Sequence, residues 1–237
     1  MSPERLARIN AMLDNRQPDL SVYLEYMHKP HNLSAVIRTA DAVGIPEVHA
    51  TWLAEQSHIS NHKASGSGQW VDIRTHKTTT EAVSHFRSQG MQVLATNLSD
   101  SAVDYREIDY TQPTVLMMGN ERDGISQEAL GLADQDIIVP MVGMVQSLNV
   151  SVAAALILYE AQRQRQGAQM YGQRRLDDAI CQRHLFEGGH PIFAKICRRK
   201  GLPYPRVDEL GQIQAPDAWW QKIQMSQDAW THLDDED

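Results

Sequence analysis

A chain of 237 residues, 42% hydrophobic, can bury a sizeable core as one large domain or one domain with extensions. Its longest apolar run stops at Glu160 and Gln162, short of the roughly 18 residues that span a bilayer, and the charged N-terminus MSPERLARINAML lacks a signal-peptide core. Two distant cysteines, Cys181 and Cys197, indicate neither a disulfide framework nor a zinc cluster, so the expectation is a cytoplasmic protein without membrane association.

In residues 4–15, Leu6, Ile9, Met12 and Leu13 share one face and predict an amphipathic helix, with Arg5, Arg8 and Arg16 on or after it. SVYLEYM (21–27) reads as a strand, HKPHN as a turn, and LSAVIRTADAVG (33–44) as a helix closed by Gly44. EVHATWL (47–53) is the next strand. The polar, Gly/Ser-rich stretch SHISNHKASGSGQW is a loop or broken helix. VDIRTH, MQVLATNL (91–98), PTVLMMGN (113–120) and DIIVPMV (136–142) read as strands. TTEAVSHFRSQ, SQEALGLAD (126–134) and 148–164 read as helices. This alternation predicts a parallel sheet flanked by helices, with ligands at the carboxyl ends of the strands. After about residue 170 the pattern loosens into short helical pieces. The expected divisions are an N-terminal helical extension (1–19), a central domain (20–166) and a C-terminal helical extension with an acidic tail (167–237).

The net charge of −8 argues against a nucleic-acid partner until its distribution is examined. Residues 162–206 hold ten Lys/Arg against three acids, whereas 207–237 hold one Lys against eight acids. Phosphate affinity follows the local field, so the basic segment is either an RNA-facing surface or a solvated helical face.

No GxxxxGK[ST] loop is present, and GSG at 66–68 lacks dinucleotide-binding spacing. His58 and His62 stand at i, i+4 without the glutamate of HExxH, so no metal is expected there. Three segments after strands carry more information. In HNLSAVIRTAD (31–41), Asn32 is a candidate N-cap, and Arg38 sits on an otherwise apolar and small-residue helix. In LMMGNERDGIS (116–126), Gly119 and Gly124 permit tight backbone, while Glu121 and Arg122 project from a loop. In PMVGMVQSLNVSVAAALILYE, Ser147 or Asn149 caps a long apolar helix and Gly143 allows unusual backbone angles. Each alone reads equally as a surface arginine, a polar turn and a capped core helix.

Together and in order, HNLSAVIRTADAVG, GNERDGIS and IIVPMVGMVQSLNVSVAAALILYE resemble the three motifs of the SPOUT methyltransferases over roughly residues 20–165. The N-terminal basic helix, LFEGGHPIFAKICRRKGLPYP and the terminal AWW resemble the bacterial tRNA (guanosine-2′-O-)-methyltransferases within that superfamily. The resemblance implies a mostly parallel α/β sheet ending in a deep trefoil knot. It further implies a homodimer with the active site near the subunit interface, S-adenosylmethionine as methyl donor, no metal, and tRNA as partner. Carried over, the cofactor contacts are Thr96, Gly119, Val139 and Leu148, and the catalytic set is Arg38, Asn32, Glu121, Ser147 and Asn149. Arg5, Arg8, Arg16 and the 163–206 segment would meet tRNA phosphates, and Lys29 and His31 would lie beside the catalytic loop. The expected reaction is 2′-O-methylation of the D-loop guanosine at position 18. The alternatives are the same chemistry on ribosomal RNA or an anticodon loop, and a catalytically silent RNA-binding knot protein.

Overall fold

The N-terminal amphipathic stretch forms α1 (Pro3–Asp14), opened by the Ser2 side chain, which accepts from the Arg5 amide. Beyond it come β1 (Leu20–Glu25), α2 (Pro30–Ala42), β2 (Glu47–Thr51), β3 (Asp72–His76), α3 (Thr79–Ser88), β4 (Gln92–Thr96), β5 (Val103–Asp104), β6 (Thr114–Met118), α4 (Gln127–Leu132), β7 (Gln135–Ile138) and α5 (Val150–Gly167); the two-residue β5 is not expected from the sequence, and no α-helix separates β4, β5 and β6. The computed structural model describes residues 1–27, 29–52, 68–120 and 122–224. The loop reading of 57–70, the His58/His62 pair and Glu121 therefore lie wholly or largely outside the described residues. Two units are distinguished, Arg16–Gln173 and a second made of Met1–Asn15 with the chain from Arg174 onward.

In the first unit the seven strands make one sheet in the order β3-β2-β1-β6-β4-β7-β5. Every pairing is parallel. Strands β1 and β6 are buried at every position, as central parallel strands covered on both faces must be. Alternation along β1 assigns the layers. Leu20, Val22 and Leu24 join a core with Leu33, Val36 and Ile37 of α2 and Ala154, Ile157 and Leu158 of α5. Tyr23 joins the opposite core with Ala82, Val83 and Phe86 of α3 and Ala129 of α4. Each of these Val, Leu, Ile and Phe side chains contributes about 1.5–3 kcal/mol by leaving water. At the sheet edge His49, His76 and His85 gather around Phe86. Burial, reinforced by His76, pushes the His49 imidazole down to about 3, so that ring is neutral.

Two readings of the sequence are corrected. Asn32 is not the N-cap of α2. The helix starts at Pro30 with Lys29 as its N-cap, because proline's fixed φ suits the first helical position, and Asn32 is buried inside the first turn. Nor is Arg16 an RNA-facing residue, because it is 1% exposed, donating to Asp41 at 2.7 Å and to the carbonyls of Ile45 and Trp70.

Arg165, counted in the basic segment, is also buried. It reaches from α5 to the carbonyls of Tyr110, Gln112 and Asp19 and to the Asp19 carboxylate at 2.6 Å. Its planar fork thus closes off the amino ends of β1 and β6, a geometry an ammonium group could not reproduce. Arg165→Ala should lower the unfolding free energy by about 3–5 kcal/mol, since it removes a buried charge-assisted donor from the Asp19 carboxylate and from the carbonyls of Tyr110, Gln112 and Asp19. A urea midpoint within experimental error of the wild type would refute this reading of Arg165.

In the second unit α1 packs against α6 (Asp178–Gly189), followed by α7 (Pro191–Lys200), the antiparallel pair β8 (Arg206–Val207) and β9 (Ile213–Gln214), and α8 (Asp217–Ile223). Its aromatic centre stacks Phe186 on Tyr204 at 4.8 Å and sets Trp219 edge-on to Phe186. Several of its cations are already paired: Arg174 with Asp14, Arg206 with Asp178, and Arg183 and Arg198 with Glu187. Arg8 and Arg199 are exposed.

Candidate active site

The carboxyl ends of β4, β6 and β7, with the loop leading into α5, surround a cleft of about 850 Å³. That size suits a nucleoside-sized ligand. Thr96, Gly119, Val139 and Leu148 all line it, as do Ser147 and Asn149. Thr96 and Leu148, 52 positions apart, are gathered here because parallel strands deliver their outgoing loops to the same edge.

The Thr96 hydroxyl donates to the Met117 carbonyl at 3.3 Å, tying the end of β4 to β6. Asp136 fixes the next loop, accepting from Asn97 at 3.0 Å and Ser99 at 3.1 Å. Gly119 opens a tight turn closed by reciprocal backbone hydrogen bonds between Asn120 and Gly124, at 3.0 and 3.1 Å. The Asn120 carboxamide oxygen accepts from the amides of Arg122 and Asp123 inside that turn. A Cβ on Gly119 would overlap the backbone of Gly124 and Ile125, so no other residue fits.

Asn149 caps α5, its oxygen accepting from the Ser151 amide at 2.8 Å, as the sequence suggested for Ser147 or Asn149. Its amide nitrogen donates to the Asn32 oxygen at 3.3 Å. One side chain therefore ties the start of α5 to the start of α2, across 117 positions. Arg38 is not among the residues lining the cleft. It is exposed on α2, roughly 9 Å along the helix axis from Asn32. Among the described residues, Lys29, Asn97, Asn120, Arg122, Asp123 and Gln146 complete the polar lining, and no histidine takes part.

Sequence reasoning missed Glu25. It is buried at the end of β1, where its carboxylate accepts from the Ser126 amide at 2.8 Å, the Ser126 hydroxyl at 2.7 Å and the Thr79 hydroxyl at 2.8 Å. Ser126 is the N-cap of α4 and Thr79 the first residue of α3, so one anion serves two helix amino ends. It thereby anchors the far end of the Gly119–Ser126 turn. Burial pushes the neighbouring Tyr23 phenol up to about 12, which keeps it a neutral donor to Thr51 at 2.7 Å. A carboxylate in an otherwise apolar strand was the available signal.

The strand-end cleft, the Gly119 turn and the capped start of helix α5 lie within the part of the chain that matches a known methyltransferase family. The chain belongs to the SpoU rRNA methylase family, whose model matches residues 19–159, with the model of the family's C-terminal region matching 163–216. It is 61% identical over 226 residues to the tRNA (guanosine(18)-2′-O)-methyltransferase of Escherichia coli K12, covering 94% of this chain and 99% of that one. Among solved structures it resembles the TrmH/SpoU tRNA modifying enzyme of A. aeolicus, with a TM-score of 0.72, 42% identity and coverage of 78% of this chain and 94% of the other. It also resembles an AdoMet-bound rRNA methyltransferase from Sinorhizobium meliloti, with a TM-score of 0.55, 33% identity and coverage of 64% and 59%.

Proposed function

We propose that this protein methylates the ribose 2′-hydroxyl of guanosine 18 in the D loop of tRNA, using S-adenosylmethionine. The observation that carries this reading is the near full-length identity to an enzyme named for that reaction, joined to a cleft of fitting size at the matching motifs. Thr96, Gly119, Val139 and Leu148 would hold the cofactor, largely through backbone groups. When bound, it supplies an electrophilic methyl group on a sulfonium.

The protein's own task is to align the ribose oxygen and to manage its proton. Ser147 and Asn149 line the cleft, and Asn32 holds Asn149 in place. Arg38, exposed on α2 and outside the cleft lining, suits a polyanionic substrate better than a small cofactor. Its guanidinium stays charged, so its role is to position an RNA phosphate and stabilise charge developing on the 2′-oxygen. Glu121 belongs to the same motif and would shape the pocket or the subunit contact.

Two further expectations have structural support. The chain runs from β4 to β5, yet β7 lies between them in the sheet, and α5 then packs on α2. That strand order agrees with the trefoil knot that the resemblance implies. Val152, Leu156 and Tyr159 form an exposed apolar stripe on α5, 40–51% accessible, with Val142 and Met144 exposed nearby in sequence. A second copy of the chain would cover this stripe, giving a homodimer in the cytoplasm. Arg198 and Arg199 would contact tRNA phosphates, with Arg5 and Arg8 on α1. The double variant Arg198→Ala, Arg199→Ala should bind tRNA more weakly and lower the slope of log K against log salt by about 1–2. An unchanged slope would remove these residues from the interface.

The deciding experiment incubates purified protein with unmodified tRNA transcripts and radiolabelled S-adenosylmethionine, then maps the labelled nucleotide. Label on the guanosine 18 ribose supports the proposal. Label elsewhere in tRNA, or only on ribosomal RNA, retains the chemistry and overturns the target. Stabilisation by S-adenosylhomocysteine without any label would indicate a silent RNA-binding protein.

A further inference from the structure

We infer that Glu47 and His49 of β2, with His85 of α3, form a binding site for a divalent transition metal at the sheet edge, apart from the methyl-transfer cleft. The sequence offered no such expectation, because these residues have no motif spacing. The sheet brings them together. Glu47 and His49 are two apart on one strand and so project to one face, the face that α3 covers.

One donor atom from each of the three residues lies within 4.8 Å of the other two. His49 Nε2 and Glu47 Oε1 are 3.2 Å apart. Ligands bound tetrahedrally at about 2.0–2.1 Å from a metal stand roughly 3.3–3.5 Å from one another, so the Glu47–His49 pair already fits and His85 must close in by up to about 1.5 Å. Two imidazoles and one carboxylate suit zinc, cobalt or nickel rather than magnesium or calcium. The other nitrogen of His49, Nδ1, is held by His76 Nε2 at 2.9 Å. Such an outer hydrogen bond orients a metal-binding imidazole. His49 is 3% exposed, with the Phe86 ring edge-on at 4.8 Å, so its ring is positioned in advance.

A cation already stands at this position. Arg74, opposite His49 in the β2–β3 register, places Nη1 3.9 Å from Glu47 Oε1 and 3.5 Å from His85 Nε2. Its side chain is 51% exposed, which gives it a path out to solvent and gives an ion a path in. Gln89 Nε2, 3.1 Å from His85 Nε2, is likewise exposed and would yield its contact to the metal. A bound ion would staple α3 to the sheet edge.

The test titrates chelator-treated full-length protein with Co2+, reading visible ligand-field absorption, and then displaces the cobalt with Zn2+. One equivalent with tetrahedral-type absorption is expected. His85→Ala should weaken it by roughly tenfold or more, a direct ligand mattering at least as much as an outer-shell partner. Arg74→Ala should bind roughly fivefold more tightly or better, since a like charge about 4 Å away is removed. Circular dichroism confirms that each variant is folded. Failure of both wild type and Arg74→Ala to exceed the His85→Ala background would overturn the site. Full cobalt binding by His85→Ala would also overturn it, by placing the ion elsewhere.

Discussion

Arg38→Ala should reduce methyl transfer to tRNA by roughly 10²–10³-fold in kcat/KM, the effect of removing one preorganised charge stabiliser, while leaving cofactor affinity unchanged. The separation follows from position. Arg38 is exposed on α2 and does not line the cleft in which the cofactor would bind. Arg38→Lys discriminates between mechanisms. If Arg38 works as a planar, permanently charged group, lysine restores only a small part of the rate, because an ammonium cannot present the two-pronged fork. If the residue instead removed the hydroxyl proton, lysine should act as the better base and its rate should climb steeply with pH. Near wild-type turnover by Arg38→Lys at alkaline pH would therefore reject the electrostatic role. Calorimetry with S-adenosylhomocysteine supplies the control, since a matching loss of cofactor affinity would place Arg38 in the cofactor site.

Gly119→Ala should abolish S-adenosylhomocysteine-induced thermal stabilisation, with affinity reduced by roughly 100-fold. The added methyl meets backbone of Gly124 and Ile125, not a side chain that could rotate away. The Asn120–Gly124 pairing must open, and Ser126, pinned by Glu25, prevents the turn from shifting as a unit. Overpacking of this kind costs about 1–3 kcal/mol, and here it falls on the wall of the cleft. Gly131, inside α4, is the matched control, since nothing lies within 4 Å of a Cβ built there. Gly131→Ala should leave cofactor binding intact and stabilise α4 by up to about 1 kcal/mol. Equal ligand-induced shifts for Gly119→Ala and wild type would show that the turn is not part of the binding wall.

These effects reach different distances beyond local pattern. The alternating elements were legible because a parallel strand reads as an apolar run and a covering helix as a periodic one. The positions Thr96, Gly119, Val139 and Leu148, carried over from the family resemblance, all line the cleft. Asn32 was drawn to the cap because asparagine favours that position, but Pro30 has the stronger claim on the helix start. Arg16 and Arg165 read as surface cations because their partners are remote: Arg165 meets Asp19 across 146 positions.

By itself the sequence determined most element types and the motif-bearing loops, since periodicity, caps and turn residues are local properties of the chain; the methyltransferase class came from the resemblance of three ordered motifs to a known family. Only the tertiary structure decided the strand order, the burial of Arg16 and Arg165, the Asn32–Asn149 tie, the Glu25 anchor and the Glu47–His49–His85 cluster. Each of these depends on which distant strands become neighbours in the sheet. That choice is made by side chains packing on both faces at once, which no stretch of sequence read alone displays.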